Sequence, residues 1–532
     1  MSRTVLSRLF ASLLLASTAP AMAAPIAVDG GMVDGKTLAS GVEGWFGVPF
    51  AAPPVRDLRW RAPQPVAPWQ GTYHADRFAP MCLQSLRSRT MNHYFGNEAI
   101  SEDCLYLNVW APPGSAGKKL PVVVWIYGGG FNVGSANMAN YGGENLAKKG
   151  VVYVALSYRV GPLGFLAHPD LTREGDGHSG NYGLMDQVAG LKWVQRNIAQ
   201  FGGDPGNVTV MGQSAGSMSV SLLQMDPVAK GLFHRLVGMS GSAHGALMSP
   251  VPLANAEAQG LKLQQALGVS GIEAMRDLPG DRILSVAATV PRSPIVVDGV
   301  HITGTAAQVF AAHRQNDVPV MVGFVRDERF ANLGQAKTVA EYQTIIRATF
   351  PKTADGVLKA YPAKTDADVP RALVDVMRDM SVGSQMFNWA GANVANGTSP
   401  AYGFFFTRRH PYTAGITFID HDPATVGVYH TGDVPYWLDT LDALNMFRTT
   451  RDWTPMDRKL AETMSGMVLS FARNGKPAAN WPSFDAKAPK SMMLGEESKV
   501  IDWPNWRALP LLNDTVAAKP APAAAASGRP RD

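Results

Sequence analysis

The chain has 532 residues, of which 46% are hydrophobic and 17% charged, and its formal net charge is +5. This is an ordinary globular composition that supplies ample apolar residues for a large core. Lys and Arg are scattered without a long basic run, which argues against a nucleic-acid partner. The sequence indicates no metal site and no organic cofactor.

Residues 1–23 predict a secretory signal peptide. Arg3 and Arg8 form a basic start. An apolar run at 9–16 follows, and a small-residue cleavage site ends before Ala24. The run is too short to span a bilayer, and an uncleaved N-terminal anchor is the alternative. We therefore expect a secreted or periplasmic protein without a membrane span.

The chain contains two cysteines, Cys82 and Cys104. Export permits a disulfide and the even count fits one, so we predict that these two residues are bonded. Two buried free thiols are the alternative. The segment between them, 83–103, is polar and predicts a loop.

A glycine triplet at 128–130 follows a strongly apolar strand. Residues 101–110 alternate in polarity and 120–127 are nearly all apolar, so both segments predict strands. One interpretation of the triplet is a phosphate-binding turn, but Val133 occupies the last glycine position of that motif. The other is the oxyanion loop of esterases, which binds developing negative charge through backbone N–H groups.

The pentapeptide Gly-Gln-Ser-Ala-Gly around Ser214 is typical of a nucleophile elbow. Strand-like residues 208–211 precede it and a helical segment begins at 217, which is the context that the motif requires. The serine needs a sharp turn, and Gly212 and Gly216 supply positions without a Cβ. The positive end of the following helix favours an oxyanion nearby. A chance match in a chain with 53 glycines is the alternative.

Short buried strands alternate with helices along the chain. An amphipathic helix is predicted at 181–197, and further strands are predicted at 151–158, 236–239 and 318–324. This alternation predicts an α/β fold with a mostly parallel sheet and helices on both faces. Residues 245–290 and 335–400 carry mainly helix signals, so we expect them to cover the site.

These motifs together resemble the type-B carboxylesterase family, the α/β-hydrolase group that includes cholinesterases and bacterial p-nitrobenzyl esterases. The matches follow the family's order over about residues 26–510 and comprise the elbow and segments 46–54, 102–108, 127–131, 158–161, 181–187 and 201–205. The resemblance implies one α/β-hydrolase domain over residues 24–515. Residues 516–532, rich in Ala, Pro and charge, predict a disordered tail.

The resemblance also implies a catalytic triad of Ser214, Glu328 and His430. Their order along the chain, nucleophile then acid then histidine, is that of the α/β-hydrolase fold. Glu328 follows the predicted strand at 318–324, and His430 lies in a predicted loop. Asp327 is the alternative acid, and a solvated acidic turn is the alternative to both.

Further residues receive roles from the same resemblance. Backbone N–H groups of Gly129, Gly130 and Ala215 would form the oxyanion hole. Ser240 would lie near the acid as a supporting serine, and an ordinary loop serine is the alternative.

Three other features bear on the site. Glu102 and Arg159 flank strand ends in positions that resemble a pair in the family, so we predict a buried ion pair between them; two surface charges are the alternative. Tyr127 stands where many members have His, and Gln213 stands where Glu is common. Neither change removes a catalytic group, but either one can alter the polarity of the pocket.

We therefore expect a serine carboxylesterase with a small-molecule ester substrate. A catalytically silent binding or adhesion protein on the same fold is the alternative, and the presence of all three triad residues argues against it. Phe131, Tyr429, Tyr436 and Trp437 predict either an aromatic pocket for aryl or bulky esters or a part of the core. Bacterial fumonisin esterases are similar in outline, which adds polycarboxylic esters as candidates.

Overall fold

The computed structural model describes residues 23–85, 99–245, 249–291 and 294–513. The predicted signal peptide, apart from Ala23, and the predicted tail at 516–532 lie outside these ranges. Most of the predicted loop between the two cysteines lies outside them as well.

The described residues form eighteen strands, which are β1 Ile26–Val28, β2 Gly31–Asp34, β3 Lys36–Thr37, β4 Glu43–Pro49, β5 Thr72–His74, β6 Met81–Cys82, β7 Ile100–Ser101, β8 Tyr106–Ala111, β9 Leu120–Ile126, β10 Val152–Leu156, β11 Gly203–Gln213, β12 Arg235–Met239, β13 Val251–Pro252, β14 Val296–Val297, β15 Val320–Val325, β16 Ala401–Phe406, β17 Lys490–Leu494 and β18 Lys499–Asp502. Eleven of them form one central sheet, in the order β18-β17-β16-β15-β12-β11-β9-β10-β8-β4-β3. Every pairing between β17 and β10 in that order is parallel. The outer pairings are antiparallel.

Fifteen α-helices lie within the same ranges: α1 Glu144–Lys148, α2 Gly161–Gly164, α3 Pro169–Glu174, α4 Tyr182–Asn197, α5 Ala215–Met225, α6 Leu253–Leu267, α7 Gly271–Arg276, α8 Gly280–Ala287, α9 Ala306–Ala311, α10 Val339–Thr349, α11 Ala354–Ala360, α12 Val369–Arg378, α13 Ser384–Asn396, α14 Val434–Trp437 and α15 Pro455–Asn474. A π-helical turn, Asp379–Gly383, joins α12 to α13. The longest helix, α15, begins where the Thr454 side chain caps the N–H of Asp457, and it ends at Gly475 with φ +72°.

The parallel centre of the sheet lies in the hydrophobic core. Every residue of β10 and β15 is buried, as are residues 122–126 of β9. A strand becomes buried on both faces when other elements cover both sides of the sheet. Helix α5 packs on β11 and β12, and α13 packs on β15 and β16. This is the mostly parallel α/β arrangement that the sequence predicts.

The predicted elements occur with shifted ends. The predicted helix at 181–197 is α4, and the helix-rich segments contain α6–α8 and α10–α13. The predicted strand at 101–110 is interrupted and forms β7 and β8. The interruption contains Glu102 and Cys104, whose side chains are held by partners from other segments.

Cys82 and Cys104 form the predicted disulfide, with a Cα–Cα distance of 4.9 Å. The bond ties β6 to the segment immediately before β8. It closes a loop with a sequence separation of 22 residues.

The predicted ion pair between Glu102 and Arg159 is wrong. Glu102 instead binds Arg59 through two contacts of 2.6 and 2.7 Å. Arg159 binds Asp186 through two contacts of 2.7 and 2.8 Å. Glu102 and Arg159 do line the same small cavity. However, each forms a bidentate pair with another residue, and such a pair satisfies both oxygens of the carboxylate.

Candidate active site

Ser214 lies at a sharp turn between the end of β11 and the start of α5. Its φ of 59° and ψ of −126° are unusual for a residue with a side chain. A Cβ on Gly216 would lie 2.1 Å from the carbonyl oxygen of Ile126, so the turn excludes any other residue there. A Cβ on Gly212 would lie 2.5 Å from the Gly216 carbonyl carbon. The glycines therefore permit the close packing that fixes the serine at the end of the sheet.

The side chains of His430 and Glu328, which lie on two different loops, contact each other. Glu328 follows β15, and its side chain is completely buried. Its Oε1 lies 2.5 Å from Nδ1 of His430, and its Oε2 accepts a hydrogen bond from the Val325 N–H at 3.3 Å. His430 lies on the loop before α14 with 24% of its side chain exposed. The carboxylate can therefore hold the imidazole in one orientation and one tautomer.

The adjacent carboxylate, Asp327, does not contact the imidazole. It accepts a 2.6 Å hydrogen bond from the Val428 N–H and pairs with Arg371 and Arg326. Burial opposes the charged form of Asp327, but the Val428 N–H and the two guanidinium groups outweigh it and lower its pKa. Asp327 thus anchors the loop that carries His430, and Glu328 makes the direct contact.

The side chain of Gln213 also contacts the imidazole of His430. Its amide Nε2 lies 3.0 Å from Nε2 of His430 and 3.3 Å from Nδ1. The structure gives no hydrogen bond between the hydroxyl of Ser214 and His430, both of which are described. Because residue 213 is Gln where Glu is common, an amide donor lies directly against the candidate base.

The glycine triplet faces the elbow. A Cβ on Gly128 would lie 2.5 Å from the carbonyl oxygen of Gln213, and one on Gly129 would lie 2.0 Å from that of Val133. Gly129 and Gly130 have φ values of 121° and 63°, a region that favours glycine. The loop can therefore approach Ser214 closely and turn its N–H groups toward a bound oxygen.

Tyr127 does not line the cavity beside Ser214. Its ring stacks on Tyr158 with 4.3 Å between the centroids. Each hydroxyl donates a 2.8 Å hydrogen bond to the backbone carbonyl of the other residue. This reciprocal clamp joins the chain after β9 to the chain after β10, directly before the glycine triplet.

A cavity of about 450 Å³ joins these groups. It is lined by Gly128, Gly129, Gly130, Asn132, Val133, Met138, Tyr141, Gln213, Ser214, Ala215, Met218, Ser240, Gly241, Phe330, Val382, Gln385, His430 and Thr431. Among these lining residues none is Lys, Arg, Asp or Glu. Phe330 lies edge-on against His430, with 4.5 Å between ring centroids. The cavity is therefore mainly apolar and uncharged except where His430 takes up a proton.

The aromatic residues proposed from the sequence do not line this cavity. Phe131, Tyr436 and Trp437 are almost completely buried and belong to the core. Tyr429 is also buried, and its hydroxyl contacts His410. The aromatic lining comes from Tyr141 and Phe330, neither of which the sequence singled out. Phe330 lies two residues after Glu328, so its nearness to the predicted acid was the available signal.

Two buried polar groups lie near the triad residues. Ser240 has φ 56°, and its N–H donates to the Gly323 carbonyl at 2.8 Å. Ser240 lines the cavity, and its buried hydroxyl has no hydrogen-bond partner among the described residues. The supporting role of Ser240 near the acid stays a prediction. Asp433 is fully buried, and burial together with the charge of Glu328 raises its pKa to about 7.

In the described ranges, no group of three or more His, Cys, Asp and Glu side chains is arranged to hold a metal ion. Within the same ranges, none of the helices combines the length and apolarity needed to cross a membrane.

Comparison with known proteins places this geometry in a family. The sequence profile of the carboxylesterase family matches residues 23–507, and the chain belongs to that family. It is therefore an α/β-hydrolase that acts on carboxylic esters as a serine hydrolase.

Individual relatives cover most of the chain. Fumonisin B1 esterase of Sphingopyxis macrogoltabida is 38% identical over 466 residues, which is 84% of this chain and 82% of that protein. Para-nitrobenzyl esterase of Bacillus subtilis (strain 168) is 30% identical over 495 residues, or 89% and 95% of the two chains. A solved structure of PNB esterase superposes with a TM-score of 0.76 at 28% identity, covering 92% of this chain and 99% of that one.

Proposed function

We propose that Ser214, His430 and Glu328 are the catalytic triad of this esterase, with an oxyanion hole formed by the N–H groups of Gly129, Gly130 and Ala215. The observation that carries the proposal is the 2.5 Å contact between His430 and Glu328 beside the cavity that Ser214 and His430 both line. The strained backbone of Ser214 supports its role as nucleophile, because strain of this kind concentrates at functional sites.

The proposed mechanism proceeds through an acyl-enzyme. Glu328 accepts the Nδ1–H of His430, which leaves the lone pair of Nε2 to take the proton of Ser214 as its hydroxyl attacks the ester carbonyl. The amide of Gln213, which lies at Nε2 in the resting enzyme, releases this atom to Ser214. Backbone N–H groups hold the resulting oxyanion, and loss of one such donor costs about 3 kcal/mol. His430 then protonates the leaving alcohol, and water hydrolyses the acyl-enzyme.

The substrate class follows from the lining of the cavity. A buried carboxylate on the substrate would need a positive partner, and the lining side chains provide none besides a protonated His430. An uncharged ester is therefore a better candidate than a polycarboxylic one. We also propose that the signal peptide predicted at 1–23 directs this esterase to the periplasm or outside the cell. The Cys82–Cys104 disulfide supports this proposal, because disulfides persist in oxidising compartments.

Matched substitutions of the two neighbouring carboxylates test the triad. Glu328→Gln should lower kcat for 4-nitrophenyl butanoate by about 10⁴-fold, because the imidazole loses the partner that fixes its tautomer. Asp327→Asn, which alters the anchor of the same loop, should lower kcat far less. A fluorophosphonate should label the wild type at Ser214 and leave Ser214→Ala unlabelled. Greater damage from Asp327→Asn, or labelling at another serine, would contradict the assignment.

A further inference from the structure

We propose that Gln385 forms a hydrogen-bonding subsite in the catalytic cavity for an uncharged oxygen of the substrate other than the oxygens of the scissile ester. The inference rests on the function proposed above and narrows the substrate class. It predicts esters whose acyl or alcohol part carries a ketone, ether or hydroxyl oxygen.

The position of Gln385 is set by the π-helical turn that precedes α13. Asp379 opens this turn and is held by Arg378 at 2.8 and 2.9 Å, by the Tyr361 hydroxyl at 3.0 Å and by Asn505 at 2.9 Å. Such turns insert one extra residue into a helix and occur frequently at functional sites. Here the turn contributes Val382 to the cavity wall, and the first turn of α13 contributes Gln385.

The orientation of the Gln385 amide is fixed by Ser242. The Ser242 N–H donates to Oε1 of Gln385 at 3.3 Å, and the Ser242 hydroxyl donates to the backbone carbonyl of Gln385 at 3.0 Å. If the amide were reversed, two donors would face each other, so Oε1 must point to Ser242. Gly245 leaves the necessary space, because a Cβ there would lie 2.3 Å from Cγ of Gln385.

The Nε2 group of the Gln385 amide is the part available to a ligand. Gln385 is only 3% exposed, and its Nε2 has no hydrogen-bond acceptor among the described residues. Nε2 itself is not fully enclosed by protein, so water or a ligand oxygen can reach this donor. The remaining cavity amides are already engaged, since Asn132 donates to the Gly130 carbonyl at 2.9 Å and Gln213 contacts His430.

The chemistry of the subsite selects the ligand. An amide N–H pairs with any oxygen acceptor, but the lining residues include no Lys or Arg to compensate a buried carboxylate. The favoured partner is therefore an uncharged oxygen. A cavity of about 450 Å³ has room for an ester with such a group several atoms from the scissile bond.

Matched ester pairs test the subsite. We would measure kcat/KM for 4-nitrophenyl hexanoate and its 3-, 4- and 5-oxo derivatives, and for butyl and 2-methoxyethyl butanoate, with wild type and Gln385→Met. Methionine keeps the approximate length of the side chain and removes the donor. We expect Gln385→Met to lower kcat/KM about tenfold for at least one oxygen-bearing ester, because one buried hydrogen bond is lost. Its alkyl counterpart should change less than about twofold.

Controls separate this idea from the proposed triad. Ser242→Ala keeps the N–H that holds Oε1 and should retain the preference for the oxygen-bearing ester. Turnover of 4-nitrophenyl hexanoate shows that a variant is folded. If Gln385→Met does not fold, Gln385→Leu is used in its place. The subsite is overturned if every ester loses the same factor or if none responds, while turnover still depends on Ser214. Turnover that persists in Ser214→Ala would instead overturn the proposed function.

Discussion

Asp433 should make this protein less stable as the pH rises from about 4 to about 7. The residue lies three positions after His430, is fully buried, and accepts a 3.2 Å hydrogen bond from the Trp437 ring through Oδ2. Its Oδ1 has no hydrogen-bond partner among the described residues. Burial and the nearby charge of Glu328 both favour the protonated form. Asp433→Asn is the informative perturbation, because asparagine is similar in shape and does not titrate.

The size of the effect follows from the shift of the pKa. The carboxyl has a pKa of about 7 in the folded protein against 3.8 for an ordinary aspartate, so between these values the native state holds a proton that the unfolded state releases. Wild-type stability therefore decreases as the pH rises through this window. The full loss is about 4 kcal/mol at 1.36 kcal/mol per pKa unit. About 3 kcal/mol of it falls between pH 5 and pH 8.

The assay is urea unfolding followed by tryptophan fluorescence at pH 5, 6, 7 and 8. Relative to wild type, Asp433→Asn should gain about 3 kcal/mol of stability between pH 5 and pH 8, in addition to any constant difference that the substitution introduces. Asp442→Asn is the matched control. Asp442 is exposed and its pKa is lowered by Arg458, so it should not titrate in this window. A stability difference between wild type and Asp433→Asn that is the same at pH 5 and pH 8 would refute the reasoning.

Three further substitutions test structural contacts. Cys82→Ser should lower the free energy of unfolding by about 3 kcal/mol in the chain-entropy account, visible as a lower Tm that reduction of the wild type reproduces. Glu102→Gln should cost about 3–5 kcal/mol in urea unfolding, because the guanidinium of Arg59 stays buried without its charge partner; a loss below about 1 kcal/mol would mean that solvent screens the pair. Tyr158→Phe should lower kcat for 4-nitrophenyl butanoate roughly tenfold, because the clamp on Tyr127 before the oxyanion loop is lost. A change confined to KM in steady-state kinetics would contradict that role.

The sequence by itself determined the features that depend on neighbouring residues. The elbow around Ser214 could be predicted because a serine on a sharp turn requires glycines at fixed offsets, and the structure shows what a Cβ there would strike. The parallel centre of the sheet followed from continuous apolar runs such as 120–127, because a strand covered on both faces has no polar side. The order of the motifs gave the family, and with it the expected pairing of Glu328 with His430.

Only the tertiary structure decided which distant groups meet. Glu102 and Arg159 border one cavity, yet Glu102 pairs with Arg59. The packing of the chain orients the Arg59 guanidinium so that it forms two hydrogen bonds to the Glu102 carboxylate. The residues that line the catalytic cavity could likewise not be predicted from the sequence. Gln385 is positioned by a π-helical turn that has no recognisable sequence motif. Local patterns fix turns, strands and helices through short-range sterics and periodicity. Partner choice and cavity lining depend on packing between segments far apart in the chain, which no local pattern encodes.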